Sequence, residues 1–195
     1  PELLWKLGRI TPLGLSNDGK NIVYQVNYPS VAENKSENKL YTIPINGGKP
    51  TEVKDTKTLL KDKNISPDGK YIVYNEEVKI DKVLGKDFYP DLQKSDVQIY
   101  DALDYRHWDT WNEGKFNHVF YKENKEGAVG IDLLKGENFN SPQKPFGGDE
   151  DYIWSPDSKS ILYVSKKKAG TQYATSTNTD IYEYNLETGK TINRT

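Results

Sequence analysis

The sequence predicts an all-β fold built from repeated antiparallel sheets, and its composition and a recurring turn pattern both indicate it. Only 34% of the 195 residues are hydrophobic and 29% are charged, yet the chain contains 14 Tyr, 4 Trp and 5 Phe. So many aromatic side chains indicate a chain with a core to bury rather than a disordered one. Tyr pairs well across neighbouring strands, so a core rich in Tyr and poor in aliphatic residues favours β-sheet.

A nine-residue repeat, Ser-Pro-Asp-Gly-Lys-x-Ile-Val-Tyr in consensus, carries most of the fold prediction. It occurs without gaps at 16–24, 66–74 and 155–163. Pro and Asp favour a tight turn, and Gly supplies the positive φ that such a turn needs. The Ile-Val-Tyr that follows is typical of a buried strand. Each repeat is therefore predicted to be the hairpin between two strands.

Strands are predicted on both sides of these turns, which makes each unit a four-stranded antiparallel meander. The strands before the turns are predicted at 9–15, 61–65 and 152–154, the third strands at 40–45 and 181–185, and short fourth strands at 51–53 and 191–193. The third and fourth strands are joined by the turns 46–49 and 187–190. The first of these contains Asn-Gly, a strong hairpin signal.

The spacing of the repeats predicts a partial β-propeller of about three blades. Ser16 and Ser66 are 50 residues apart, which matches a blade of about 40–50 residues. The 89 residues from Ser66 to Ser155 predict a second blade that carries an insertion. The predicted blades are 9–54, 58–136 with the insertion at 78–115, and 144–195. A fourth blade around 111–115 is the alternative, although 118–121 fits better as the third strand of blade two.

The insertion is predicted to be helical. Residues 95–98, Ser-Asp-Val-Gln, match a capping box. Val97, Tyr100 and Leu103 then recur every three residues, as on one face of a helix. We therefore expect a short helix from Asp96 to about Tyr105.

Composition excludes several classes of function. A net charge of −2 argues against nucleic acid as a partner, since phosphate binding needs an excess of Lys and Arg. No window approaches the roughly 18 apolar residues of a membrane-spanning helix, so no membrane partner is predicted. The absence of Cys excludes disulfides and a thiol nucleophile. Because propellers close with about 4–8 blades, and because this chain lacks Met, we expect it to be a fragment.

Longer stretches resemble a known family. They are 1–9, 105–111 with the following 114–120, and 144–148 leading into 154–157. These resemble the N-terminal β-propeller region of bacterial prolyl oligopeptidase-family serine peptidases, of the dipeptidyl-peptidase or acylaminoacyl-peptidase type. The resemblance implies a C-terminal α/β-hydrolase domain in the same polypeptide, short peptides as substrates, no cofactor, and a periplasmic or secreted location.

The sequence predicts no catalytic residue in this chain. A nucleophile elbow needs Gly-x-Ser-x-Gly, and the nearest match, at 14–18, fails at its last position. His107 lies near Asp104 and Asp109 in sequence, but neither it nor His118 has a credible Ser partner. The chain alone is therefore expected to be inactive and to contribute substrate gating and docking to the hydrolase domain.

The resemblance and the chemistry of the side chains together suggest four substrate-binding residues. Dipeptidyl peptidases of the family often hold the substrate's amine with two glutamates, and Glu76 and Glu77 are the adjacent Glu pair here, although the family's aromatic context is absent. Arg106 could bind a peptide carbonyl or carboxylate, and Trp108 could form the wall of an apolar pocket. The alternative is that Arg106 pairs with Asp104 or Asp109 and that the stretch only anchors the insertion.

The sequence predicts no metal site and leaves two other functions open. The acidic run 149–151 lacks the alternating spacing of a Ca²⁺ loop, so no metal site is predicted. TolB-type propellers share the turn repeat, so a non-enzymatic propeller that binds a protein partner in the periplasm is the alternative. A complete three-blade protein that self-assembles is a third. A downstream hydrolase domain separates the first two.

Overall fold

The computed structural model describes residues 2–103 and 105–195, and it confirms the all-β fold class. The strands of the described residues are, in chain order, β1 (Arg9–Leu15), β2 (Asn21–Ser30), β3 (Lys35–Pro44), β4 (Thr51–Val53), β5 (Tyr71–Lys79), β6 (Arg106–His107), β7 (Thr110–Trp111), β8 (Lys115–Glu123), β9 (Ile131–Asp132), β10 (Tyr152–Trp154), β11 (Ser160–Ser165), β12 (Asp180–Asn185) and β13 (Lys190–Asn193). The helices are α1 (Glu2–Lys6), α2 (Gly85–Phe88) and α3 (Thr171–Thr175), and 149–151 form a 3-10 turn. The chain divides into two compact units, 1–62 and 63–195.

The first unit is the antiparallel sheet β1-β2-β3-β4, a four-stranded meander as predicted. Val23 and Val26 of β2 are its buried side chains, while every residue of β1 is exposed. Tyr24 and Tyr41 lie opposite each other on β2 and β3, with ring centroids 5.6 Å apart. The first and fourth strands have the predicted limits, and the third is longer than predicted because it pairs with the whole of β2.

The second unit contains two larger sheets, β5-β8-β9 and β10-β11-β12-β13, and the two-stranded hairpin β6-β7. The larger sheets share one core, which is mainly aromatic and β-branched. Its buried members are Val73, Val119, Tyr121, Leu133, Leu134, Tyr152, Trp154, Ile161, Tyr163, Tyr182 and Tyr184. Six of these eleven are aromatic, so Tyr and Trp fill the core of a chain that has few aliphatic residues.

Each of the three repeats forms the same kind of turn, with equivalent hydrogen bonds. In the second copy, Ser66 Oγ donates to Asp68 Oδ1 (2.7 Å) and accepts from Tyr71 N (3.0 Å). Asp68 Oδ1 also accepts from Lys70 N at 3.1 Å. The bonds to Asp68 lower its pKa to about 2, and the bond from Ser66 has the largest effect. The turns at Ser16 and Ser155 make the corresponding bonds at 2.5–3.1 Å.

The predicted strand at 61–65 is wrong. The chain turns at 63–64, and only a single bridge, between Ile65 and Ile72, precedes the Ser66 turn. Residues 61–64 are Lys-Asp-Lys-Asn and offer nothing to bury on a sheet face. The second sheet therefore has three strands instead of the predicted four.

The predicted helix from Asp96 to Tyr105 is also wrong within the described residues, which exclude Asp104. Ser95 Oγ accepts from Val97 N (3.2 Å), two residues ahead, instead of capping a helix. Gly85 N donates to Val97 O (2.7 Å) and Ile99 N donates to Val83 O (2.8 Å). Residues 97–99 therefore pair with 83–85, and this non-local pairing replaces the helix.

The helix of the insertion lies earlier, at α2. Asp87 Oδ2 accepts from Leu84 N (3.0 Å) and Val83 N (3.1 Å) at its start. Lys79 Nζ lies 2.8 Å from the same oxygen. The hydrogen bonds from Lys79 and Leu84 lower the pKa of Asp87 to about 2, and the bond from Lys79 has the larger effect. The ionised Asp87 thus caps the first turn of α2 and ties it to β5.

One repeat departs from the consensus, and the departure links two turns. Ser158 stands where the other copies have Gly, and it keeps the same left-handed backbone, with φ of +62°. Its side chain is buried, and its Oγ accepts from Asp68 N at 3.0 Å. Ser158 therefore bonds the turn of the last sheet to the turn of the β5-β8-β9 sheet.

Replacing Ser158 tests this link. Ser158→Ala keeps the strained φ and leaves Asp68 N without its acceptor, so we expect a loss of about 1–3 kcal/mol in the free energy of unfolding. Ser158→Gly loses the same bond but relieves a backbone strain of about 1–2 kcal/mol, so it should be less destabilised than the Ala variant. Urea unfolding followed by circular dichroism measures both. Equal stability of Ser158→Ala and the unmodified chain would contradict the link.

Candidate functional site

The four predicted substrate-binding residues lie on two separate elements of the second unit. Glu76 and Glu77 are on β5, opposite His118 and Asn117 of β8. Neighbouring residues of a strand point to opposite faces of the sheet. The structure therefore does not bring the two carboxylates together, and a joint amine clamp does not form on this strand.

The two glutamates have different surroundings. Glu77 Oε1 accepts from Lys144 Nζ at 2.9 Å, which connects β5 to the loop before β10. Glu76 lies on the same face of the sheet as Tyr74. Burial raises the pKa of the Tyr74 hydroxyl, and the charge of Glu76 raises it further. It stays a prediction that Glu76 or Glu77 binds substrate on its own.

Arg106 and Trp108 lie in the hairpin β6-β7. Arg106 pairs with Trp111 and His107 pairs with Thr110, so Trp108 and Asp109 form the two-residue turn. The Arg106 guanidinium carbon lies 5.4 Å from the centre of the Trp111 ring, in a cation–π contact. In the described part of the chain no ion pair joins Arg106 to Asp109, and Asp104, its other suggested partner, lies outside the described residues.

Trp108 is the centre of an exposed aromatic cluster formed by His107, Trp108 and Phe146. The Trp108 ring is 4.7 Å from that of His107 and 5.8 Å from that of Phe146, measured between ring centres. Trp108 is 73% exposed and Phe146 is 74% exposed. Two of the stretches that carry the family resemblance, 105–111 and 144–148, therefore meet at this cluster.

A cleft of about 660 Å³ lies beside the hairpin, and sequence reasoning missed it. Three aromatic side chains dominate it. Its lining consists of Gln98, Tyr100, Asp101, Ala102, Leu103, Tyr105, Trp111, Gly170 and Thr171. The available signal is the density of Tyr and Trp in a segment whose spacing predicts the face of a helix. Gly170 and Thr171, some 60 residues away in sequence, could not be found without the fold.

The three aromatic rings of this cleft support one another. Ring centres are 5.6 Å apart for Tyr100 and Tyr105, and 6.1 Å apart for Trp111 with each of the two. The Tyr100 hydroxyl lies 2.5 Å from Gln98 Oε1 and 2.8 Å from Asn112 O. Burial, and secondarily the Glu113 charge, raises the pKa of Tyr100, so the hydroxyl stays protonated at neutral pH.

His118 is buried in the second sheet and has both ring nitrogens in hydrogen bonds. Nδ1 lies 2.8 and 3.0 Å from the two carboxylate oxygens of Asp132, and Nε2 lies 3.0 Å from Glu137 O. Both ring nitrogens therefore face hydrogen-bond acceptors, the Asp132 carboxylate and the Glu137 carbonyl. No ring nitrogen is left for a substrate.

The acidic run 149–151 is held by structural hydrogen bonds. Asp149 Oδ1 accepts from the Tyr152 hydroxyl (2.7 Å) and from Asn75 Nδ2 (3.2 Å), and Asp151 Oδ2 accepts from Gln143 N (2.7 Å). Among residues 2–103 and 105–195, no three His, Asp or Glu side chains are grouped so that they could hold a metal ion.

Within the same residues, none of the helices has the length and apolar character needed to cross a membrane.

Comparison with known proteins identifies peptidases as relatives. The chain is 34% identical to dipeptidyl-peptidase 5 of Porphyromonas gingivalis over 99% of its length, and 32% identical to that of Porphyromonas endodontalis over 100%. Dipeptidyl-peptidase 5 of Schizosaccharomyces pombe is 37% identical over 48% of the chain and 15% of its own length. This similarity is consistent with a member of the dipeptidyl-peptidase family.

The chain spans about a third of these bacterial relatives, 35% of each. No family model matches it. Among solved structures, a hydrazine synthase of Kuenenia stuttgartiensis aligns with 92% of the chain and 56% of its own, at 14% identity and a TM-score of 0.20, which is too low to support an argument about fold.

The two histidines of the chain allow a matched test of the buried pair. His118→Ala leaves the Asp132 carboxylate and the Glu137 carbonyl without their donor, so we expect a loss of about 3 kcal/mol in the free energy of unfolding. His107→Ala, at the exposed aromatic cluster, should change it by no more than about 0.5 kcal/mol. Urea titration gives both values, and equal effects of the two substitutions would contradict the assignment.

Proposed function

We propose that this chain is the β-propeller portion of a serine exopeptidase that hydrolyses short peptides in the periplasm or outside the cell. The observation that carries the proposal is the similarity of the whole chain to about a third of two proteins named dipeptidyl-peptidase 5. In this proposal the chain provides substrate gating, part of a pocket wall and a docking face. Catalysis belongs to an α/β-hydrolase domain of the same polypeptide.

The repeated sheets support the propeller part of the proposal. Each of the three sheets with more than two strands has the same Ser-x-Asp turn, directly before β2, β5 or β11, as repeated blades would. In the second unit, two successive sheets pack on one shared aromatic core, as adjacent blades of a propeller do. The proposed blades are 9–54, 58–136 and 144–195.

The chemistry of the described residues supports catalysis by another domain. Acyl transfer by a serine peptidase needs a Ser nucleophile, a His base and a carboxylate that orients it. His118 already uses both ring nitrogens in structural bonds, and the His107 ring packs against Trp108 and Phe146. The step itself, attack by Ser, formation of an acyl-enzyme and its hydrolysis by water, would take place in the hydrolase domain.

The hairpin β6-β7 is the proposed contact with substrate. The exposed aromatic cluster offers an apolar surface, with the Trp108 ring held against Phe146. Arg106 is exposed beside it and could donate to a peptide carbonyl or carboxylate. Glu76 and Glu77 would act singly in this proposal, since they lie on opposite faces of β5.

The proposal is tested by reading the coding sequence beyond Thr195 and assaying the complete gene product. We expect a Gly-x-Ser-x-Gly elbow followed by Asp and His, and release of the chromophore from dipeptidyl p-nitroanilides. The N-acetylated dipeptides serve as the control and should be cleaved much more slowly. A complete product that has no elbow and releases no chromophore would overturn the proposal in favour of a TolB-like propeller that binds a protein partner.

The contact with substrate is tested in the complete product by Trp108→Gly. Gly accepts the left-handed backbone of this position without strain, so the change removes only the indole. We expect KM to rise about tenfold with kcat nearly unchanged, since loss of the contact removes about 1.4 kcal/mol of substrate binding. Trp5→Gly, at an exposed Trp of the first unit, is the control. An unchanged KM in Trp108→Gly would exclude substrate contact at Trp108.

A further inference from the structure

The cleft beside the hairpin has features that the proposed function does not use. We call it the aromatic cleft and define it by Tyr100, Asp101, Tyr105, Trp111 and their neighbours in the lining. Its volume of about 660 Å³ falls within the range of small-ligand sites, about 300–1,000 Å³. Tyr105 and Trp111 are 43% and 45% exposed, so their rings remain available to a ligand.

The charge of the lining has one sign. Among the residues that the structure describes, Asp101 is the one acidic or basic side chain in the lining, and it is exposed. Within the part of the chain that the structure describes, the Asp101 carboxylate has neither an ion pair nor a hydrogen bond. Two cations close in sequence to lining residues are in ring contacts: Arg106 lies over the Trp111 ring, and Lys166 Nζ lies 4.1 Å from the Tyr173 ring centre. Neither of the two lines the cleft.

Aromatic rings and a free carboxylate together favour one class of ligand. The face of a Tyr or Trp ring is negative and attracts a cation that lies within about 6 Å of its centre. The Trp111 ring of the cleft already contacts one cation in this way, the Arg106 guanidinium, 5.4 Å from the ring centre. Tyr100, Tyr105 and Asp101 all line the one cleft, so it offers a ligand cation both aromatic rings and a carboxylate.

We propose that the aromatic cleft binds the ammonium group of a ligand, with Asp101 as its counter-ion and the Tyr100, Tyr105 and Trp111 rings as its wall. This proposal does not depend on the proposed function. The ammonium group could be the amino terminus of a peptide or the side chain of a lysine. Both sources present the same charge and the same hydrogen-bond donors, so the experiment separates them.

The test is an NMR titration of the ¹⁵N-labelled 195-residue chain with three probes. The first is Ala-Ala-Ala amide with a free amino terminus, the second its N-acetylated form, and the third N-acetyl-lysine amide. We expect millimolar binding of the first or the third probe, with shifts of the amides and indole of the cleft. Binding of the first alone assigns the site to peptide amino termini, and binding of the third alone to lysine side chains. Binding of neither, or equal binding of the N-acetylated tripeptide, overturns the proposal.

Substitutions at the carboxylate provide the second measurement. Asp101→Asn should weaken binding about threefold, as expected for one exposed ion pair, and Asp101→Lys should abolish it because it puts a cation in the cleft. Asp91→Asn removes an exposed carboxylate of the same insertion outside the cleft and should leave binding unchanged. Because Asp101 is exposed, both variants are expected to fold, which the dispersion of the same spectra verifies. Equal affinities of Asp101→Lys and the unmodified chain overturn the proposal.

Discussion

The hydrogen-bonded turn of one Ser and one Asp is the constraint on which the sheets depend. The Ser hydroxyl donates to the Asp and accepts from the first residue of the next strand, as Ser66 does for Tyr71. This bond fixes where β5 begins, and a shift of one residue would turn every side chain to the other face. Register matters especially in this chain, because Val73 must point inward while its neighbours Ile72 and Tyr74 stay partly exposed.

The same turns also connect the two sheets of the second unit. Ser158 accepts from Asp68 N, and Trp154 Nε1 donates to Asn64 O at 2.9 Å, so both links join positions 90 residues apart in the chain. Asn64 O also accepts from Val73 N. The segment before the Ser66 turn is therefore hydrogen-bonded on two sides, to Val73 of β5 and to Trp154 of the neighbouring sheet. Asn64 thus links the edge of β5, at Val73, to Trp154 of the neighbouring sheet.

Local chemistry decides how far the sequence predicts this structure. The strands β1 and β10 were predicted to the residue because each is bounded by a turn whose bonds are local. The helix at 96–105 failed because pairing of 97–99 with 83–85 is non-local and has no signal in a capping box. In the candidate site, the separation of Glu76 and Glu77 follows from strand alternation and could have been predicted. The aromatic cleft could not, since it joins segments distant in sequence.

Trp108 combines a left-handed backbone with an exposed side chain. A two-residue hairpin with positive φ at its first position normally has Gly there, and Trp108 adopts φ of +51° instead. A non-Gly residue in this conformation costs about 1–2 kcal/mol. The cost is not recovered by burial within this chain, because the indole is 73% exposed and packs on Phe146, itself 74% exposed. A strained position that holds a large apolar ring in solvent is typical of a contact surface, and this is the role that the proposed contact with substrate gives to Trp108.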